Sequence, residues 1–216
     1  MERPRRSQSN VQRPTAWRRL AGKGMYPIEY ASWLLSPLRY LVMPPRRIVD
    51  RLELSSTDHV LEIGCGPGFF SAAIAKTLSG GHLTLFDAQE PMLDLASARM
   101  KRHNVANFTC VSGDASGLPF RDNAFDVVLM VTVLGEVSDR VAAIAEAARV
   151  LRPNGRLSIT EAAGDPDRVK RAELDHLAAQ AGLAIDKRWR GVVVATSNYR
   201  KLSAFRPAQA TPARGD

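Results

Sequence analysis

The stretch Glu62-Ile63-Gly64-Cys65-Gly66-Pro67-Gly68 decides the fold. It follows a short apolar run, His59–Ile63, and precedes a helical pattern over Phe70–Leu78. It therefore reads as a strand-to-helix turn. Glycines at alternate positions let the backbone turn sharply and approach a ligand closely. A dinucleotide-binding turn needs G-x-G-x-x-G, with its last glycine one place later. Here that place is Phe69, and the third glycine comes early, at Gly68. Glu62, two residues before the first glycine, would repel a pyrophosphate and suits a cation.

Outward from this turn, strands and helices alternate. His82–Asp87 reads as a strand, Pro91–His103 as a helix, and Phe108–Ser112 as a strand ending at Gly113-Asp114. Phe125–Val131 is a continuous apolar strand of the kind buried on both faces. Asp139–Leu151 is helical and stops at Pro153-Asn154-Gly155, followed by a strand over Gly155–Glu161. Asp165 and Pro166 predict a helix N-terminus running to about Ala181. Leu183–Arg190 and Val192–Arg200 form a final hairpin around Gly191. Upstream, Ser36-Pro37 opens one short helix, Pro44-Pro45 ends it and starts another, and Leu34, Leu38 and Leu41 share a helical face. Such repetition builds an α/β fold with a doubly wound, mostly parallel sheet. Its ligands sit beyond the carboxyl ends of the strands, where the strand order reverses.

That rule selects three acids. Asp87 ends the second strand, 23 residues after Gly64. A carboxylate about 20 residues on is placed to accept two ribose hydroxyls. Asp114 ends the third strand, where an acid can accept the amine of an adenine. With Glu62, they fit an adenosine that carries positive charge rather than phosphates. S-adenosylmethionine is such a molecule, and it offers no phosphate for a helix N-terminus to hold.

The chain here resembles the class I S-adenosylmethionine-dependent methyltransferases, and more narrowly the small-molecule group containing the ubiquinone/menaquinone C-methyltransferases. The resemblance runs from about Pro45 to Lys201. It rests on Val60–Gly68, on Asp87 with Met92-Leu93, and on Gly113-Asp114-Ala115 with Leu118-Pro119-Phe120. Phe125-Asp126-Val127-Val128 and Val150–Gly155 extend it. It implies a seven-stranded sheet whose last strand runs antiparallel. It also implies cofactor contacts from Glu62, Gly64, Cys65, Gly66 and Gly68 on the methionine side, and from Asp87, Ala88 and Met92 at the ribose. Asp114 and Ala115 would frame the adenine, with Met130 at the end of the fourth strand. One departure stands out. Where the family often carries Leu-His-x-Val-x-Asp, this chain reads Leu134-Gly135-Glu136-Val137-Ser138-Asp139, without the histidine.

Methyl transfer is an in-line displacement, and alignment supplies much of its acceleration. A base is needed only when the acceptor loses a proton. His59 and His82 open strands at the wrong edge, His103 ends a helix and His176 lies inside one. Glu136 and Glu161, after the fourth and fifth strands, are the candidates for a base or for holding a cationic acceptor. Cys65 serves as a small residue in the glycine loop, and Cys110 is expected in the core of its strand. No Cys/His cluster has zinc spacing, so no metal is implied. Met130-Val131-Thr132-Val133 stands where amino-methylating nucleic-acid enzymes carry Asn/Asp-Pro-Pro-aromatic, so no specific nucleic-acid partner is expected. The acceptor is expected to be small and apolar or lipid-like. A nicotinamide-dependent oxidoreductase, or a non-catalytic cofactor- or nucleic-acid-binding protein on the same fold, are the alternatives.

The chain has 216 residues and a net charge of +8. Residues 1–51 hold 11 Lys+Arg against 3 Asp+Glu, while residues 52–216 hold 19 of each. The surplus therefore lies in the N-terminal arm. Residues 1–24 read as a disordered basic leader, 25–53 as a helical lid, 54–203 as the methyltransferase domain and 204–216 as a disordered tail. Tyr26, Tyr30, Trp33 and Tyr40 are the lid's expected contacts with an acceptor. Two cysteines, no secretory signal and no spanning segment point to a cytoplasmic protein. The aromatic, basic arm also suits peripheral contact with an anionic membrane.

Overall fold

A computed structural model describes residues 33–203. Two short helices come first, α1 (Pro37–Val42) and α2 (Pro45–Leu52), each with proline at its first position. A missing N–H costs nothing there, which is why both begin where they do. The alternating unit follows as β1 (His59–Ile63), α3 (Ser71–Ala75), β2 (His82–Asp87), α4 (Glu90–Arg102) and β3 (Phe108–Ser112). It continues through β4 (Phe125–Val131), α5 (Arg140–Val150), β5 (Leu151–Ala162) and α6 (Arg171–Gln180). The chain then closes with β6 (Leu183–Trp189) and β7 (Val194–Lys201).

These strands form one seven-stranded sheet in the order β3-β2-β1-β4-β5-β7-β6. Pairings from β3 through β5 are parallel, and β7 lies antiparallel between β5 and β6. The order reverses between β1 and β4, so the crevice for a ligand opens there. Side chains alternate between the two faces of a strand. In β4, Val127, Leu129 and Val131 join one buried cluster with Val60, Leu85 and Ile74. Val128 and Met130 join the other, with Leu61, Ile144 and Leu157. The expected α/β fold, seven strands and antiparallel last strand are all present.

Several local expectations are corrected. The helix expected from Asp165 begins at Arg171, because the Asp165 carboxylate accepts the Asp167 N–H at 2.9 Å and stabilises a turn instead. The helix after the glycine loop is only Ser71–Ala75; Thr77 and Leu78 close it with tighter bonds to Ile74 and Ala75. β5 starts at Leu151, so the helix before it ends ahead of the Pro153-Asn154-Gly155 turn, where Asn154 adopts φ 64°. Leu34 sits in a separate 3-10 turn, so it does not share a helical face with Leu41, which is 78% exposed. Cys110 is exposed, because β3 is the sheet's edge strand. The expected leader and tail lie outside the described residues.

Candidate active site

Strand ends converge on one cavity of about 620 Å³. The glycine loop forms its floor. Gly64 and Cys65 donate their N–H groups to Phe86 O at the end of β2, at 2.7 and 3.2 Å. Gly64 has φ +67°, and a Cβ there would lie 2.3 Å from Val133 Cγ2. Gly66, at φ +51°, faces open space, with Leu34 Cδ1 3.8 Å from where a Cβ would stand. Both therefore present bare backbone to the cavity. Gly68 does not line it. A Cβ at that position would meet Ala96 Cα at 3.1 Å, so this glycine lets the loop pack on α4.

Glu62 is 3% exposed and lines the cavity. Ser71 Oγ donates to its Oε2 at 2.6 Å. Burial pushes its pKa up to about 7, against the Ser71 hydrogen bond, with the Asp87 charge adding to the rise. Asp87 is 8% exposed, and its carboxylate accepts Gly66 N–H at 2.8 Å on Oδ2 and Gln89 N–H at 3.0 Å on Oδ1. Burial raises its pKa and those backbone donors oppose the rise. A carboxylate has about four acceptor sites. Gly66 and Gln89 take one site on each oxygen, with Ala88 N–H also close, and acceptor capacity remains for hydroxyls. Asp87 thus braces the glycine loop while keeping the capacity to hold a ribose. Asp87 does not cap α4, whose N-cap is Gln89.

Asp114 lines the same cavity. Its Oδ1 accepts both Ser116 N–H and Ser116 Oγ–H, at 2.8 and 2.7 Å, and these bonds hold its pKa below the ordinary value. It remains charged, and no hydrogen bond among the described residues reaches its Oδ2. Ala88, Met92 and Ala115 complete this side. Among the described residues, six carboxyl groups line the cavity, from Glu62, Asp87, Asp114, Glu136, Asp165 and Asp167, against the single guanidinium of Arg39. Such a wall attracts cations and disfavours a pyrophosphate. Its volume lies in the roughly 300–1,000 Å³ range of small-molecule sites. The residues present therefore fit S-adenosylmethionine. Glu62 suits its charged end, Gly64 and Gly66 allow close approach, Asp87 suits its ribose, and Asp114 with Ala115 its base.

Besides Gly68, six expected site residues fall elsewhere or outside the description. Met130 is fully buried one residue short of the strand end and has no surface on the cavity. Glu161 lines a different, smaller cavity. Its neighbour Ala162 points into the main one, as alternation along a strand requires. Tyr26 and Tyr30 lie outside the described residues, as does the side chain of Trp33. Tyr40 is 40% exposed; its ring lies 4.6 Å from that of Phe69 and its hydroxyl accepts a hydrogen bond from Arg99. It does not line the cavity. Cys65 does, and burial drives its thiol well above its ordinary pKa, so it stays neutral.

The structure also supplies residues that motif reading missed. Arg39 lies over Phe69 and Phe70 at 4.7 and 5.3 Å from the ring centroids and faces the cavity. Leu34 and Met43 line it from the same N-terminal segment. Thr132, directly after β4, lines it with φ 54°. A β-branched residue in that region is strained, and its N–H is held by Thr160 O at 2.8 Å. Glu136 faces the cavity as expected. The missing histidine has a steric cause. A Cβ on Gly135 would lie 2.1 Å from the Asp167 carbonyl oxygen, so the loop after β5 occupies the space of any side chain.

Comparison with known proteins matches this geometry. Residues 60–155 match a family model described as a methyltransferase domain. The chain is 36% identical over 118 residues to the demethylmenaquinone methyltransferase of Lactiplantibacillus plantarum, covering 54% of this chain and 50% of that one. It is also 36% identical over 115 residues to phthiotriol/phenolphthiotriol dimycocerosates methyltransferase 1 of Mycobacterium ulcerans, covering 53% and 41%. The chain thus spans about half the length of the curated relatives it matches. A solved S-adenosylmethionine-dependent methyltransferase from Aquifex aeolicus shares the fold, with a TM-score of 0.77 at 20% identity, over 82% of this chain and 100% of that chain. Residues 60–155 thus carry a methyltransferase domain, set on the fold of a solved S-adenosylmethionine-dependent methyltransferase.

Proposed function

We propose that this protein transfers a methyl group from S-adenosylmethionine to a small, apolar or lipid-like acceptor. The observation that carries the reading is the juxtaposition of Glu62, Asp87 and Asp114 at three strand ends around Gly64 and Gly66. When bound, S-adenosylmethionine supplies a methyl group already activated on a positively charged sulfur. The chain's own residues bind, orient and exclude water. Glu62 would take the cofactor's ammonium end, Asp87 its ribose hydroxyls, and Asp114 with Ala115 its adenine edge. Arg39 is held over Phe69 and Phe70, so it closes the N-terminal side without filling it. Glu136 is the acid nearest in sequence to the β4 terminus, where it would accept a proton or hold a cationic acceptor.

The apolar acceptor is supported by Leu34, Met43, Phe69, Phe70, Val133 and Val137 in the cavity wall. The two curated relatives are named for a quinone precursor and for a lipid. Residues 25–53 act as a lid in this reading, since Leu34, Arg39 and Met43 already line the cavity. Among the described residues, no helix is long and apolar enough to cross a membrane. Peripheral contact is favoured instead by Tyr40, Leu41 and Val42, exposed together beside exposed Arg46 and Arg47. Leu41→Glu should then reduce co-sedimentation with anionic vesicles.

The test is direct. The protein is titrated calorimetrically with S-adenosylmethionine and with NAD, then incubated with methyl-labelled S-adenosylmethionine and a lipid extract. Binding of the first alone, with label entering the organic phase, is expected. Preference for NAD would overturn the cofactor assignment. Label confined to water-soluble products would overturn the acceptor class.

A further inference from the structure

The second cavity, of about 150 Å³, has the opposite electrostatic character from the first. Among the described residues, Arg168, Arg171, Arg188 and Arg190 line it, against one carboxyl group, Glu161. Arg188 is paired with Asp175 across the α6–β6 contact. The side chains of Arg168, Arg171 and Arg190 have no hydrogen-bond or ion-pair partner among the described residues. Glu161 is 5% exposed, and neither of its buried carboxyl oxygens makes a well-formed hydrogen bond, the Val169 N–H being only a weak donor to it. A buried carboxyl beside four arginines would ordinarily close on one of them, because an unpaired buried polar group is costly. Here they face a shared space instead. The α6 N-terminus adds to the field, since Lys170 makes no side-chain cap to its first turn.

We propose that this cavity is an oxyanion-binding site, seated by Arg168, Arg171 and Arg190, in which the Glu161 carboxyl donates a hydrogen bond to the bound anion. A cationic ligand would satisfy Glu161 but would meet four guanidinium groups. An oxyanion satisfies the arginines and accepts from a protonated carboxyl. Guanidinium groups match the planar donor pairing of carboxylate, sulfate and phosphate. Ile159, Val169, Leu174 and Trp189 give the wall an apolar part, so the anion can be a free ion or the acidic group of a larger molecule. The segment 161–171 contributes to both cavities, which places this site beside the cofactor cavity and separate from it.

The protonated form is consistent with the surroundings. Burial pushes the Glu161 pKa up to about 7, and Asp165 in the following loop adds to this. The Val169 N–H, Arg140 from α5 and Arg168 act the other way; Arg140 itself pairs with Glu173 of α6. From β6 and its following loop, Arg188 and Arg190 face the same space.

The test uses the full chain and inorganic sulfate, which does not titrate near neutrality, with chloride matching the ionic strength. Calorimetry should show saturable binding of one sulfate. Arg168→Ala/Arg190→Ala should weaken it at least about tenfold while leaving S-adenosylmethionine affinity and melting temperature unchanged. Wild-type affinity should fall about tenfold between about pH 6 and about pH 8, as Glu161 ionises. Glu161→Gln should bind with no such slope. Butyl sulfate binding about tenfold tighter than sulfate assigns the anion to a larger molecule, and equal binding assigns it to a free ion. Absence of saturable binding, undiminished binding in the arginine variant, or an unchanged pH slope in Glu161→Gln would overturn the proposal. No methyl transfer enters the measurement, so its failure is distinguishable from failure of the proposed reaction.

Discussion

Glu62 should make cofactor binding pH-dependent. Its carboxyl titrates at about 7 because it is buried, and a cationic ligand requires it ionised. Below 7 the site must first release a proton. About 3% of Glu62 is ionised at about pH 5.5 and half at about pH 7, so affinity for S-adenosylmethionine should rise about 15-fold over that interval. The ligand's own ammonium keeps its charge there, since an α-amino group titrates at about 7.7–8.0. Calorimetry in two buffers of different ionisation heat should show release of close to one proton at about pH 6. Glu62→Gln should bind more weakly at neutral pH and lose both the slope and the proton release. The sign for stability is opposite. The folded pKa lies above the unfolded value, so the folded state holds the extra proton between about 4.3 and 7. Stability of the ligand-free protein therefore falls as pH rises through that window, by about 4 kcal/mol from this group. Glu62→Gln should melt higher than wild type above pH 7 and show little gain near pH 4. A pH-independent affinity, or the same slope in the glutamine variant, would refute the reasoning.

Other variants separate bracing from binding. Asp87→Ala should weaken S-adenosylmethionine binding at least about tenfold by calorimetry, since charged hydrogen bonds contribute roughly 1.5–3 kcal/mol. Asp87→Asn, which keeps one acceptor for the loop, should retain more stability than Asp87→Ala in denaturant titrations but not its cofactor affinity. Gly64→Ala should cost about 2–4 kcal/mol in the same titrations, from positive-φ strain and overlap with Val133. Adding Val133→Ala should recover the overlap part alone, and full recovery would mean that the backbone is unstrained. Gly135→His should destabilise the fold by more than about 2 kcal/mol without raising methyl transfer, because Asp167 backbone fills the place of its Cβ.

The cofactor half of the site was legible because its chemistry is local. Gly64, Gly66 and Glu62 lie within five residues, and Asp87 and Asp114 end strands whose apolar runs are plain in the sequence. What escaped depends on which way a side chain faces or on distant packing. Counting alternation along β5 separates Glu161 from Ala162, and one step along β4 separates enclosed Met130 from Val131 at the cavity. That signal was available. Gly68 was not readable as a packing residue, because its partner Ala96 lies on another helix. Nor was the strained Thr132, whose backbone is set by Thr160 on the neighbouring strand. The helix expected at Asp165 failed because an aspartate can cap a turn as readily as a helix.

The glycine at 135 connects these observations. The loop after β5 approaches the loop after β4 so closely that Asp167 backbone occupies a side chain's place. The same loop carries Asp165 and Asp167 to the main cavity and Arg168 to the second. A histidine at 135 would push it outward and separate both carboxylates from the first wall. The chain therefore keeps an acidic rim at a position where the family often has an imidazole. No titrating ring stands there, and Glu136 is the acid that lines the cavity from the same loop. The net charge of +8 is no guide to this chemistry. It resides in the N-terminal arm, while the two cavities divide the remainder by sign: carboxylates where a cationic cofactor belongs, arginines across the 161–171 segment from it.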